Sequence, residues 1–177
     1  FNTIFFQLGN QIISDTLLPS GQNVDGDSGV DVISELPAFN KAPTILFLYS
    51  QGDIMAPHFQ DEIITIHKLV CGPYGNNTYL LVCPETNDSI LIDTPADPGK
   101  MIELAKGTNV KAIVITHNHQ DHLLGFDEVT SAIEAPVGIG ENDADALDSP
   151  PAMLLKDGDE IKAGTITLRA IFTPGHT

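Results

Sequence analysis

A chain of 177 residues, 42% hydrophobic, carries enough apolar material for one globular domain with a core and too much for a disordered segment. Acidic residues outnumber basic ones by 24 to 8, leaving a formal charge of −16. A field of that sign repels polyanions, so nucleic acid and anionic membrane are expected to be poor partners, while a small-molecule substrate at a local site is not excluded. Cys71 and Cys83 are too few for a disulfide framework and read as buried free thiols. No apolar run reaches membrane-spanning length, and no charged segment followed by an apolar one opens the chain, so a cytoplasmic location is expected. The oligomeric state is left open.

Residues 1–54 sustain neither a helical nor a strand period. Apolar pieces such as Ile4-Phe5-Phe6 and Ile45-Leu46-Phe47-Leu48-Tyr49 are separated by a stretch rich in Gly, Asp and Ser. The segment is left unassigned: Met55 is expected as the true start, with the first 54 residues upstream translation or a foreign fragment, and the competing reading is a small extra module or the tail of a preceding domain. From residue 62 the pattern sharpens. Residues 62–70 read as a strand, 71–77 as a loop with two glycines and a proline, and 78–83 and 89–93 as two further strands. Tyr79-Leu80-Leu81-Val82 lacks alternation, the pattern of a strand covered on both faces.

Asp97 is placed to cap a helix, with Pro98 in its first turn and Gly107 just past its end. Met101, Leu104 and Ala105 give that helix an inward face. Residues 110–115 form a β-branched, apolar strand. A second helix over 126–134 shows Phe126, Val129 and Ile133 at helical spacing. Then come a short strand at 136–139, a short acidic helix at 141–147, and a turn at Asp157-Gly158. Residues 165–172 alternate, with Ile166, Leu168, Ala170 and Phe172 facing one way. Strands alternating with helices argue an α/β class.

The stretch Thr116-His117-Asn118-His119-Gln120-Asp121-His122 holds three of the six histidines at the end of the 110–115 strand. His117 and His119 are two apart, so an extended backbone sends both side chains the same way. Asp121 and His122 follow at once. Imidazole and carboxylate in one small volume suit Zn²⁺ and, less selectively, Fe or Mn. His58 and His67 have no partners in sequence and are read as non-functional.

The pattern His117-x-His119-x-Asp121-His122 after an apolar strand resembles the signature of the metallo-β-lactamase superfamily. Ile90-Leu91-Ile92-Asp93 resembles its earlier strand ending in aspartate, and Thr173-Pro174-Gly175-His176-Thr177 its later metal-ligand turn. From Gly72-Pro73-Tyr74-Gly75-Asn76-Asn77-Thr78-Tyr79 through Asp157-Gly158-Asp159 the chain is most similar to the glyoxalase II-like hydrolases. The resemblance covers residues 60–177 approximately.

It implies an αββα sandwich of two mixed sheets with helices outside, of which residues 55–177 are the N-terminal part. It implies His117, His119 and His176 as ligands of a first metal and Asp121 and His122 as ligands of a second, with one or two Zn²⁺ as the cofactor. Asp93 is expected to orient a ligand imidazole from behind. The family's bridging aspartate and last histidine lie C-terminal to the His176 turn, so the 177-residue chain alone is expected to be inactive. The implied activity of the intact protein is metal-dependent hydrolysis of a thioester or other ester, an acylglutathione-like thioester leading. A metal lowers the pKa of bound water to about 7 so that hydroxide is available at neutral pH. Asp121 is expected to orient that nucleophile. The alternatives are a mononuclear iron oxidoreductase similar to persulfide dioxygenases, and an inactive truncated domain.

Overall fold

A computed structural model describes residues 2–8, 11–13 and 56–176. Within them the strands are β1 (Asn2–Leu8), β2 (Gln11–Ile13), β3 (Phe59–Gln60), β4 (Thr65–Cys71), β5 (Asn76–Val82), β6 (Asp88–Ile92), β7 (Asn109–Ile115), β8 (Val137–Gly140), β9 (Met153–Leu155), β10 (Glu160–Ala163) and β11 (Ile166–Pro174). The α-helices are α1 (Pro98–Ala105), between β6 and β7, and α2 (Phe126–Ala132), between β7 and β8. The strands form a seven-stranded sheet, β3-β4-β5-β6-β7-β8-β9, and a four-stranded sheet, β10-β11-β1-β2.

The large sheet is antiparallel from β3 to β6 and parallel from β6 to β9. Its parallel half needs three crossovers: α1 and α2 supply two, and the segment 141–152, with the 3-10 turn Ala144–Ala146, supplies the third. Among the described residues the small sheet is antiparallel, so the expectation of two mixed sheets is met there by the large sheet alone.

The central strands are buried on both faces, and alternation sorts their side chains into two cores. Leu81, Ile90, Ile92, Ala112 and Val114 point toward the small sheet and pack with Ile161, Ile166, Leu168 and Ala170. Leu80, Leu91, Ile113 and Ile115 point the other way, onto Met101 and Leu104 of α1 and Val129 of α2. Cys83 falls in the first core and Cys71 in the second, and both are free thiols. The central sheet lies between them.

Several local expectations are corrected. The strand expected over 62–70 begins only at Thr65, because Asp61 Oδ1 accepts from the amides of Ile63 and Ile64, each at 2.8 Å, and holds a turn. Asp97 does not cap α1. It sits in the left-handed region at φ 66°, and its carboxylate instead meets Lys100 Nζ at 2.8 Å and the Gly72 amide at 3.2 Å. The acidic stretch 141–147 has no apolar period and yields only a 3-10 turn, Ala144–Ala146. The turn at Asp157-Gly158 joins strands of different sheets, β9 and β10. Phe172, toward the end of β11, is 37% exposed and does not share the burial of Ile166, Leu168 and Ala170.

Residues 1–54 carried no strand expectation, yet the backbone of Asn2–Leu8 pairs antiparallel with β11, from Asn2 opposite Pro174 to Leu8 opposite Leu168. β11 would otherwise present an open edge, and the apolar run Ile4-Phe5-Phe6 suits the added strand. Residues 14–55, including Met55, lie outside the described residues.

Candidate metal centre

Strand β7 ends in Ala112, Ile113, Val114 and Ile115, each at most 1% exposed. A strand so anchored gives the segment that follows a fixed origin. The backbone is still extended at His119, with φ −67° and ψ 134°, before Gln120–His122 close a 3-10 turn. His117 and His119 therefore leave on one side, and their rings meet edge to face with centroids 4.7 Å apart. His117 Nε2 lies 3.1 Å from His119 Nδ1.

The third imidazole comes from the far end of the described chain. β11 delivers Pro174 and then Gly175, whose φ of 137° is open to glycine and strained for other residues. His176 follows, with ring centroids 4.8 Å from His117 and 4.7 Å from His119. Candidate ligand nitrogens of His117, His119 and His176 all lie within 4.8 Å of one another.

Behind this trio runs a hydrogen-bonded relay. Asp93, at the end of β6, is 1% exposed and takes a left-handed φ of 61°. Its Oδ1 accepts from the Thr116 amide at 2.8 Å, and its Oδ2 accepts from Thr116 Oγ1 at 2.8 Å. The threonine's single hydroxyl hydrogen is thus committed to Asp93. Thr116 Oγ1, 2.9 Å from His117 Nδ1, can then only accept, which puts the proton of His117 on Nδ1 and leaves Nε2 unprotonated. Asp93 Oδ2 also lies 3.0 Å from His122 Nδ1. One carboxylate orients two imidazoles, one directly and one through Thr116.

His122 is 4% exposed and its ring centroid is 4.1 Å from that of His117. Its backbone is clamped as well. Its carbonyl accepts from the Thr94 amide at 3.1 Å, and the Thr94 carbonyl accepts from the Gly125 amide at 2.8 Å. Asp121 turns one oxygen away from the trio: Oδ2 accepts from Asn76 Nδ2 at 2.8 Å. Burial works to raise the Asp121 pKa, but the Asn76 hydrogen bond, a hydrogen bond from its own backbone amide, and nearby His122 and His119 outweigh it and hold the carboxyl below its usual value. His58 and His67 are not part of the cluster, nor is either cysteine. The cleft lined by Gly140, Glu141, Asp143, Lys156 and Phe172 contains none of these side chains.

The residues present fit a divalent cation. Burial, reinforced by His122, His119 and His176, pushes the His117 pKa down to about 3, so its imidazole is neutral over the ordinary pH range. His176 is lowered in the same direction, again mainly by burial. Imidazoles converging on one point are the donor chemistry of Zn²⁺ and related ions.

Two parts of this arrangement escape sequence reading. Thr116 stands inside the motif, but nothing in its neighbours announces a relay. Asn76 stands inside the 72–79 stretch that carries the family resemblance, but nothing there marks it as a partner of Asp121.

A family model described as the metallo-beta-lactamase superfamily matches residues 71–177. The chain belongs to that superfamily. The hydroxyacylglutathione hydrolase of Polaromonas sp. (strain JS666 / ATCC BAA-500) is 37% identical to this superfamily member over 107 residues, 59% of this chain and 40% of the relative. The probable metallo-hydrolase YqgX of Bacillus subtilis (strain 168) is 32% identical over 130 residues, 62% of this chain and 60% of the relative. A solved structure, the subclass B3 metallo-beta-lactamase BJP-1 of Bradyrhizobium japonicum, superposes with a TM-score of 0.54 at 26% identity. That match covers 71% of this chain and 56% of that one. The chain thus spans between 40% and 60% of the length of these relatives. Among its described residues, no helix is long and apolar enough to cross a membrane.

Proposed function

We propose that the intact protein is a metal-dependent hydrolase of thioesters, with an acylglutathione-like thioester as the leading substrate. The observation that carries the reading is the arrival of His176 beside His117 and His119, within 4.8 Å ligand atom to ligand atom, from a strand distant in sequence. The relatives named hydroxyacylglutathione hydrolase support the substrate class.

His117, His119 and His176 would hold one metal, and Asp121 with His122 would contribute to a second. A bound Zn²⁺ supplies Lewis acidity and lowers the pKa of water to about 7. The chain's own residues do the rest of what is visible. Asp93 and Thr116 fix the tautomer of His117 so that Nε2 faces the trio. Asp93 turns His122 the same way through Nδ1. Asp121 Oδ1, the oxygen that Asn76 does not engage, is the acceptor available to orient an attacking water. No cysteine or serine nucleophile is required.

The test is metal content and turnover of the protein at the full length of its relatives. Zinc at one or two equivalents with thioester hydrolysis, both reduced at least tenfold in His176→Ala, is the expected result. One iron with oxygen uptake and no thioesterase activity rejects the reading in favour of an oxidoreductase.

A further inference from the structure

One contact of the site belongs neither to the imidazole trio nor to the Asp93 relay. Asn76 is 2% exposed, and its Nδ2 donates to Asp121 Oδ2 at 2.8 Å across 45 residues of sequence. Its Oδ1 is buried and has no hydrogen-bond partner among the described residues. The direction of the amide follows from chemistry: an ionised carboxylate only accepts, so the nitrogen must face it. A buried acceptor left bare destabilises the fold, so the amide is held there at a cost to stability.

The backbone holds Asn76 as firmly as it holds the histidines. It opens β5 opposite Cys71 in the β4–β5 ladder. The intervening turn uses left-handed Gly72 and Gly75, at φ 63° and 68°. A Cβ on Gly72 would lie 2.6 Å from Ala96 Cβ, so the turn is pressed against the segment that follows β6. The Gly72 amide is tied to Asp97 there. Asp121, in contrast, rides on a three-residue 3-10 turn.

We propose that Asn76 is a positioning residue for Asp121. By donating to Oδ2, it holds the carboxylate in one orientation and so fixes where Oδ1 points. This rests on the assignment of Asp121 to the metal centre given above. The donor on β5 and the carboxylate on the His loop are brought together only by the sheet, so Asn76 also links the hairpin to the site.

The probe is Zn²⁺ titrated by calorimetry into the metal-free full chain and its variants, with thermal melts alongside. Asp121→Ala identifies the Asp121-dependent part of binding. Asn76→Leu removes the donor and the bare acceptor at similar volume. It is expected to weaken that part 10- to 100-fold, to add nothing further in the Asn76→Leu/Asp121→Ala double variant, and to leave the melting temperature unchanged or raised. Asn76→Ala serves as a second variant, with the same binding result expected. Unchanged zinc binding in folded Asn76 variants overturns the proposal while Asp121→Ala still weakens binding. Additive losses in the double variant overturn it too, as does failure of both Asn76 variants to fold, which makes the residue part of the framework. If Asp121→Ala has no effect but His117→Ala abolishes binding, this proposal falls and the metal reading stands. If His117→Ala has no effect either, the metal-hydrolase reading itself has failed.

Discussion

Asp93 bears more of the site than any ligand candidate does. Its two oxygens receive the Thr116 amide, the Thr116 hydroxyl and His122 Nδ1, all inside a region almost closed to water. Removing the carboxylate strands these buried groups without an acceptor, each at roughly 1–3 kcal/mol. Asp93→Ala is therefore expected to lower unfolding free energy by about 3 kcal/mol in denaturant melts, a loss in keeping with those unpaired donors. Asp93→Asn, which tolerates the left-handed φ and keeps one acceptor oxygen, should recover part of it. A loss below about 1 kcal/mol for the alanine variant would mean that water replaces the carboxylate and that the relay is not closed. The residues themselves explain how much could be read beforehand. His117, His119, Asp121 and His122 are consecutive enough for spacing alone to suggest shared chemistry. Asp93 was visible as a strand-end carboxylate. Its second contact, through Thr116 to His117, depends on a hydroxyl rotor and a tautomer that no sequence pattern records.

Elements were legible where burial dictated them. The apolar runs of β5, β6 and β7 and the inward face of α1 follow from period and composition. The misreadings fell where a local hydrogen bond or a distant partner decided the matter. Asp61 delayed β4, a left-handed φ turned Asp97 outward, and β11 recruited Asn2–Leu8 from a segment without a pattern of its own. The connection between His122 and α2 shows how tight such decisions are. A Cβ on Gly125 would stand 2.5 Å from the Pro95 carbonyl oxygen and 3.1 Å from Pro98 Cβ. The nearest obstacle is backbone, which cannot rotate aside. Gly125→Ala is expected to force the Thr94–His122 clamp apart, destabilising the chain by about 1–3 kcal/mol. Its check is a thermal melt together with the His122 ring signals by NMR. Unmoved His122 signals would show that the clamp is slack.

At the scale of the whole molecule, the lowered pKa values of His117 and His176 make the metal-free chain sensitive to acid. His117 titrates at about 3 when folded, against 6.5 for an ordinary histidine. Between those values the unfolded chain binds a proton that the folded chain refuses, so stability falls as pH drops through that window. His176 is shifted the same way and adds to the slope. Thermal midpoints of the metal-free chain should therefore decline from about pH 6.5 downward. His117→Gln should flatten the decline, and a profile identical to the native one would remove His117 from its cause. The −16 charge acts in the opposite sense over the acidic end of the range, since protonating carboxylates relieves self-repulsion. The variant comparison isolates the histidine from that background.

Strands β6 and β7 are shared by both cores, with alternate side chains packed on the small sheet and on the helices. No partial opening can expose their amides without dismantling one of the two layers. Solvent deuterium should thus reach the amides of Leu91, Ile113 and Val114 only when the entire domain unfolds, and their exchange free energy should equal the global one. Amides that exchange by a cheaper route would mean that the layers separate independently. If they do not, the loops rooted at the ends of these strands inherit the slowest clock in the molecule, and the imidazoles keep their places for as long as the fold lasts.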